Sequence, residues 1–203
     1  MIFKEWNHKR RAIYIHIPKV AGISIESALV GSKVGHSRAL DYLAEDAEAF
    51  NNYFSFTFVR SPYTRLASAY FFLCSGGRNL HDKAWAKLNL SSVKSFEEFV
   101  MSLQNEKFRL KILQGIHFCP QYRFVCNENG NIIVDFIGRF ESLEQDFLRV
   151  CSRLGVLANL SHKNRTAGKL GYLRLYTDEM ASVVRNIYKK DFELFKYKAE
   201  LVL

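Results

Sequence analysis

Residues 54–72 read F-S-F-T-F-V-R-S-P-Y-T-R-L-A-S-A-Y-F-F, and two periodicities meet inside this stretch. From Phe54 to Val59 the residues are apolar apart from Ser55 and Thr57, the composition of a strand buried on both faces. At Arg60 the pattern changes. Ser61 is a good N-cap, and Pro62 suits the first helical position because its φ is preset and its missing N–H would go unpaired there anyway. Thr64, Ser68 and Phe71 then share one stripe of a helix. A guanidinium therefore stands where a buried strand hands over to a helix, with a hydroxyl, Ser68, two turns on. In open α/β sheets that edge binds ligands, and a helix N-terminus favours anions. Taken alone, the stretch fits equally well a surface junction whose arginine points into water.

Upstream, residues 11–17 form a second short run with strand character, ended by Pro18. Lys19-Val20-Ala21-Gly22-Ile23-Ser24-Ile25-Glu26 follows, and the chain continues as a helix to about Val30. Strand, small-residue turn with a lysine, then helix is the layout of a phosphate cradle. Backbone N–H groups at the helix start point at the anion, and Gly22 lets the backbone come close. It is not a Walker A loop, since the lysine precedes the small residues and no G-K-[ST] is present. Residues 31–37 are turn-like and bring His36 to the start of a predicted helix over 38–50. A lone histidine there is a cap or surface residue unless both phosphate loops are real.

Downstream, residues 74–82 read as a loop, and 96–103 and 107–113 as short helices. Residues 121–126 and 131–137 are expected to pair as a hairpin, with Asn129-Gly130 in a primed turn. Asp135, after Ile132-Ile133-Val134, would suit Mg²⁺ in a P-loop phosphotransferase, but without a Walker A loop it reads as an ordinary strand-end acid. Residues 141–154 have clear amphipathic spacing. Residues 161–171 are a basic loop, and 177–195 read as a closing helix.

A chain of 203 residues is expected to form one domain with a substantial core. The net charge of +9 implies an anionic partner. Its basic residues are scattered, with only short clusters such as His8-Lys9-Arg10-Arg11 and Lys189-Lys190, so nucleic acid is not the expected one. The four cysteines have no C-x-x-C spacing and read as reduced, mostly buried thiols. With no signal-peptide pattern and no run of ~20 apolar residues, a soluble cytoplasmic protein without a transmembrane segment is expected.

I-H-I-P-K-V-A-G-I-S-I, F-T-F-V-R-S-P-Y-T-R-L-A-S-A-Y, V-D-F-I-G-R-F-E-S-L-E-Q-D-F, S-H-K-N-R-T and I-Y-K-K-D-F-E-L-F-K-Y occur here in the order they have in one family. Over residues 13–197 the chain resembles carbohydrate sulfotransferases, relatives of the Golgi heparan and chondroitin enzymes, and most of all their compact bacterial branch. The resemblance implies an α/β fold with a P-loop-like central parallel sheet flanked by helices. It also implies 3′-phosphoadenosine 5′-phosphosulfate (PAPS) as donor and a carbohydrate or glycan hydroxyl as acceptor, with no metal. By the same resemblance Lys19 stands beside the bridging oxygen of the donor, and the backbone of Val20, Ala21, Gly22, Ile23, Ser24 and Ile25 surrounds the 5′ phosphosulfate. Arg60 and Ser68 take the 3′ phosphate, and Asn164 and Arg165 lie near the nucleotide. The family's first loop usually reads P-K-T-G-G-T-S, so Val20, Ala21 and Ile23 are departures that imply a reshaped donor loop. Golgi members carry an N-terminal membrane anchor; none is expected here, in keeping with a bacterial cytoplasmic enzyme.

Sulfuryl transfer needs charge stabilisation on the leaving phosphate, which falls to Lys19, and a base for the acceptor hydroxyl. His36 is the expected base, because heparan-type members place theirs in a similar interval between the two loops. His16, inside a predicted strand, reads as a core residue. Acceptor specificity is expected in residues 74–121, where Arg78, His81, Lys83 and Lys87 could meet an anionic sugar. Two other classes compete: a P-loop-type nucleotide-dependent phosphotransferase, and a non-catalytic module binding anionic glycan or nucleic acid.

Overall fold

The computed structural model describes residues 1–160 and 171–201. In chain order the elements are α1 (Glu5–Arg10), β1 (Ala12–Ile15), and α2 (Gly22–Ile25), which runs into a π-helical turn (Glu26–Val30). Next come α3 (Ala39–Glu45), α4 (Ala47–Asn52), β2 (Phe54–Val59), α5 (Pro62–Cys74) and α6 (Leu80–Leu90). They are followed by α7 (Phe96–Ser102), α8 (Glu106–Gln114), α9 (Tyr122–Val125), β3 (Phe136–Arg139), α10 (Leu143–Leu154), α11 (Asp178–Ile187) and α12 (Lys189–Leu194).

The strands form a three-stranded parallel sheet in the order β1-β2-β3. Ile15 lies opposite Thr57, and Phe58 opposite Gly138. β1 is buried throughout and β2 from Ser55 onward, as strands covered on both faces must be. The polar exceptions in β2 are both satisfied. Thr57 donates its hydroxyl to Ile15 O at 2.6 Å. Ser55 donates N–H and hydroxyl to Asp135 at 2.7 and 2.8 Å. A Cβ on Gly138 would lie 2.5 Å from the Phe58 ring, so the neighbouring strand excludes any side chain there.

By its contacts the chain divides into two units. The first runs from Met1 to Arg60 and resumes at Gln121, and holds the sheet with α1–α4, α9 and α10. Within it α1 packs on β1 and α10 on β3. Asp146, in the first turn of α10, accepts from Arg139 N–H at 2.8 Å and Ser142 Oγ at 2.7 Å, which ties the helix start to the end of β3.

The second unit contains α5–α8, α11 and α12 and has no strand among the described residues. Its core is aromatic, with Tyr63, Phe96, Phe99, Phe118, Tyr176 and Phe192 all buried. Each fully buried phenylalanine there stabilises by about 1.5–3 kcal/mol. Two tyrosine hydroxyls of this unit bond its backbone, Tyr176 to Tyr63 O at 2.7 Å and Tyr188 to Phe118 O at 2.8 Å. Cys119, Cys126 and Cys151 are buried thiols and Cys74 an exposed one.

Three sequence expectations change. The helix expected over 38–50 is two, because Asp46 is extended and its carboxylate caps α4 through Ala49 N–H at 2.9 Å. The helix expected over 177–195 breaks at Tyr188, whose backbone leaves helical geometry between α11 and α12. The expected hairpin shrinks to one antiparallel bridge, Cys126 with Ile132, around Gly130 at φ 82°. Its first arm is the helical turn α9, in which Phe124 and Val125 are both buried, a run no alternating strand allows. The parallel strand begins after Asp135, so that acid stands at the start of β3 and is taken up by Ser55.

Candidate functional site

The ends of β1 and β2 and the residues after β3 bring several of the expected groups together within the first unit. The turn after β1 is tightly wound. Lys19 (φ 73°) and Ala21 (φ 68°) both hold left-handed backbone, which costs an L-residue roughly 1–2 kcal/mol. Ala21 caps α2, accepting from Ser24 N–H at 3.0 Å and Ile25 N–H at 3.2 Å. Val20 and Ile25 are wholly buried, whereas Ile23 is 42% exposed. A Cβ on Gly22 would meet His16 Nε2 at 1.8 Å. Gly22 is therefore required by the imidazole lying against its backbone.

Arg60 follows β2 and is buried. Its Nη1 donates to Lys19 O at 3.2 Å, and its guanidinium lies over the Phe140 ring at 4.2 Å. Such stacking holds the guanidinium plane in a fixed orientation. The backbone of Arg60 is gripped from both sides by one amide. Its N–H donates to Gln121 Oε1 at 2.9 Å, and Gln121 Nε2 donates back to Arg60 O at 2.8 Å. The lysine loop and the arginine, separate in sequence, are thus in direct contact.

A histidine–glutamate cluster lies beside the same loop. His16 Nδ1 is 2.9 Å from Glu26 Oε1, and both residues are buried. Val34 N–H donates to the same oxygen at 2.9 Å. His36, which is exposed, bonds His16 O through Nδ1 at 3.0 Å. The two imidazoles meet edge to face, 4.5 Å apart. Burial alone would raise the Glu26 carboxyl, but the bonds from His16 and Val34 and the nearby His16 and His36 charges outweigh it and hold it below the usual carboxylate range.

Lys19, the loop over Val20, Ala21, Gly22, Ile23, Ser24 and Ile25, His36 and Arg60 all belong to this unit. Ser68 lies on α5 in the second unit and is buried. Asn164 and Arg165 lie outside the described residues. Arg78, His81, Lys83 and Lys87 are all exposed around the start and outer face of α6. Glu26, Gln121 and Phe140 were not singled out in the sequence. Glu26 carried a legible signal, an acid amid Ile25, Ala28, Leu29 and Val30; nothing local marked Gln121. His16 follows β1 and is packed, as expected, but it is also the contact through which His36 is held.

A family model described as the sulfotransferase family matches residues 6–198. A protein of Archaeoglobus fulgidus described only as uncharacterized is 31% identical over 126 residues, which is 62% of this chain and 88% of that protein. No solved structure matches the chain. Among the described residues no helix is long and apolar enough to cross a membrane.

Proposed function

The chain belongs to the sulfotransferase family, and we propose that it transfers a sulfuryl group from PAPS to a hydroxyl of a carbohydrate or glycan, on a P-loop-like fold acting as one catalytic domain. The observation that carries this reading is the contact of Arg60 with the Lys19 carbonyl at 3.2 Å. It supports one donor spanning both elements, with its 5′ phosphosulfate on the loop from Lys19 to Ile25 and its 3′ phosphate at Arg60.

In this mechanism the acceptor oxygen attacks sulfur in line while the bond from sulfur to the phosphate oxygen breaks. The Lys19 ammonium stabilises the charge that develops on that phosphate oxygen. His36 takes the proton of the acceptor hydroxyl, and the products are a sulfate ester and adenosine 3′,5′-bisphosphate (PAP). No step draws on a metal. Ser68, Asn164 and Arg165 as further donor contacts rest on the family resemblance.

Asp135 lies at the start of β3, occupied by Ser55, which weighs against the magnesium-dependent phosphotransferase. Incubated with PAPS and a panel of glycans, the protein is expected to release PAP. Arg60→Ala is expected to weaken PAP binding about 10- to 100-fold in calorimetry, the value of a charge-assisted contact of roughly 1.5–3 kcal/mol. Tighter binding of ATP·Mg²⁺ than of PAP, or unchanged PAP affinity in Arg60→Ala, overturns the reading.

A further inference from the structure

The residues 31–38 that carry His36 have no helix or strand of their own, and Gly31 (φ 76°) and Gly35 (φ 86°) give them left-handed turns. Glu26 holds them near their middle, through Val34. It opens the π-helical turn, in which Gly31 N–H reaches back to Glu26 O at 2.8 Å. Such turns cluster at functional sites, because the extra residue redirects side chains. Here the redirected carboxylate uses one oxygen for two partners, the His16 imidazole and the Val34 backbone, each at 2.9 Å. Val34 stands two residues before His36.

The tautomers follow from which groups can donate. A carbonyl only accepts, so the His36 nitrogen facing His16 O must carry the proton. In the neutral ring the lone pair then sits on Nε2. A carboxylate likewise only accepts, so His16 carries its proton on Nδ1, facing Glu26. The holders are buried and the held ring is exposed, with Glu26 at 8% and His16 at 7% exposure.

We propose that Glu26 is a positioning residue for His36: by gripping His16 and Val34 through one oxygen, it keeps His36 docked on the His16 carbonyl as the Nδ1–H tautomer, with Nε2 unprotonated and able to receive the proton of the acceptor hydroxyl. The role of Nε2 as base rests on the sulfotransferase reading; the tautomer and its dependence on Glu26 do not. General-base catalysis is worth ~10²–10⁴-fold, and a base released from its orientation forfeits part of that.

The test combines nitrogen NMR of the histidine-labelled full chain, above the range where imidazole titrates, with kinetics and PAP calorimetry. The wild type is expected to show His36 as the Nδ1–H tautomer, identified from a His36→Gln spectrum. Glu26→Leu, similar in size but without an acceptor, is expected to relax His36 toward the mixture of a solvated imidazole. Its kcat is expected to fall ~10- to 100-fold, with PAP affinity held within about threefold. Glu26→Gln keeps the accepting oxygen and is expected to keep the tautomer and most of kcat. An Nε2–H tautomer in the wild type overturns the proposal, as does a Glu26→Leu protein with unchanged tautomer, whatever its kcat. The expected tautomers with no PAP release by the wild type sink the sulfotransferase reading alone, and the grip of Glu26 on His36 stands.

Discussion

Ala21 sits at φ 68°, where the related loops carry glycine, and Gly22 beside it sits where an imidazole forbids any side chain. The two neighbours should therefore respond oppositely to exchange between alanine and glycine. Ala21→Gly relieves a left-handed alanine at some cost in unfolded-chain entropy, for a net gain of up to about 1 kcal/mol, read as a higher urea midpoint. A lower midpoint would mean that the methyl group contributes more than the strain removes. Lys19 holds the same kind of backbone at φ 73°, and strain of this sort persists where a functional geometry is over-determined by its surroundings. Of the two positions where a hydroxyl is usual, Val20 is turned wholly into the core and only Ile23 faces outward. The lysine, the glycine and the arginine were legible from residue type and spacing. The burial of Val20 was not, since a single β-branched residue in a turn has no periodicity to betray its direction.

At the level of elements, the end of β2 is held by a side chain that comes from the start of α9. Gln121 is wholly buried and gives both ends of its amide to the Arg60 backbone. Removing those bonds costs roughly 1–3 kcal/mol for each buried group stripped of one. Gln121→Ala, which strips both the Arg60 N–H and the Arg60 carbonyl, is expected to lower stability by roughly 2–6 kcal/mol and, by loosening the strand end, to weaken PAP binding although Gln121 is assigned no phosphate contact. A stable variant with wild-type PAP affinity would show that the brace is dispensable for Arg60. β1, β2 and the start of α5 were readable because hydrophobic runs and the Ser61-Pro62 pair are local signals. The breaks at Asp46 and Tyr188 were not, because a capping bond at one and a tertiary bond at the other override a periodicity that would otherwise continue. Nor was the collapse of the hairpin, whose first arm buries consecutive residues in a helical turn.

At the scale of the whole molecule, three carboxylates among the described residues sit below their usual range, Glu26 and Glu45 in the first unit and Asp82 in the second. Glu45, on the surface, is lowered chiefly by the bond it accepts from the Ile2 N–H. Burial would raise Asp82, but the Arg78 N–H at 2.9 Å and His117 at 3.2 Å outweigh it. A group that binds its proton more weakly when folded contributes stability that is complete above its unfolded-state pKa, ~4 for these side chains. That contribution is lost as pH falls through the lower folded-state value. Thermal melts are therefore expected to be nearly flat from pH 7 to about 5 and to fall below about 4, with Glu26→Gln and Asp82→Asn each flattening part of the acid slope. An acid slope unchanged in the double variant would assign the loss to other groups.

The sequence by itself determined that this is an α/β chain with a lysine loop after its first strand and an arginine after its second, because these are set by local composition and spacing. It also carried the family, through motifs kept in order over most of the chain. Only the tertiary structure decided that Arg60 touches the lysine loop, that Gln121 grips it, and that Glu26, His16 and Val34 hold His36. Each of these depends on a hydrogen bond or a close approach between residues that sequence distance does not relate. Their geometry exists only once the parallel strands have brought their ends to one edge.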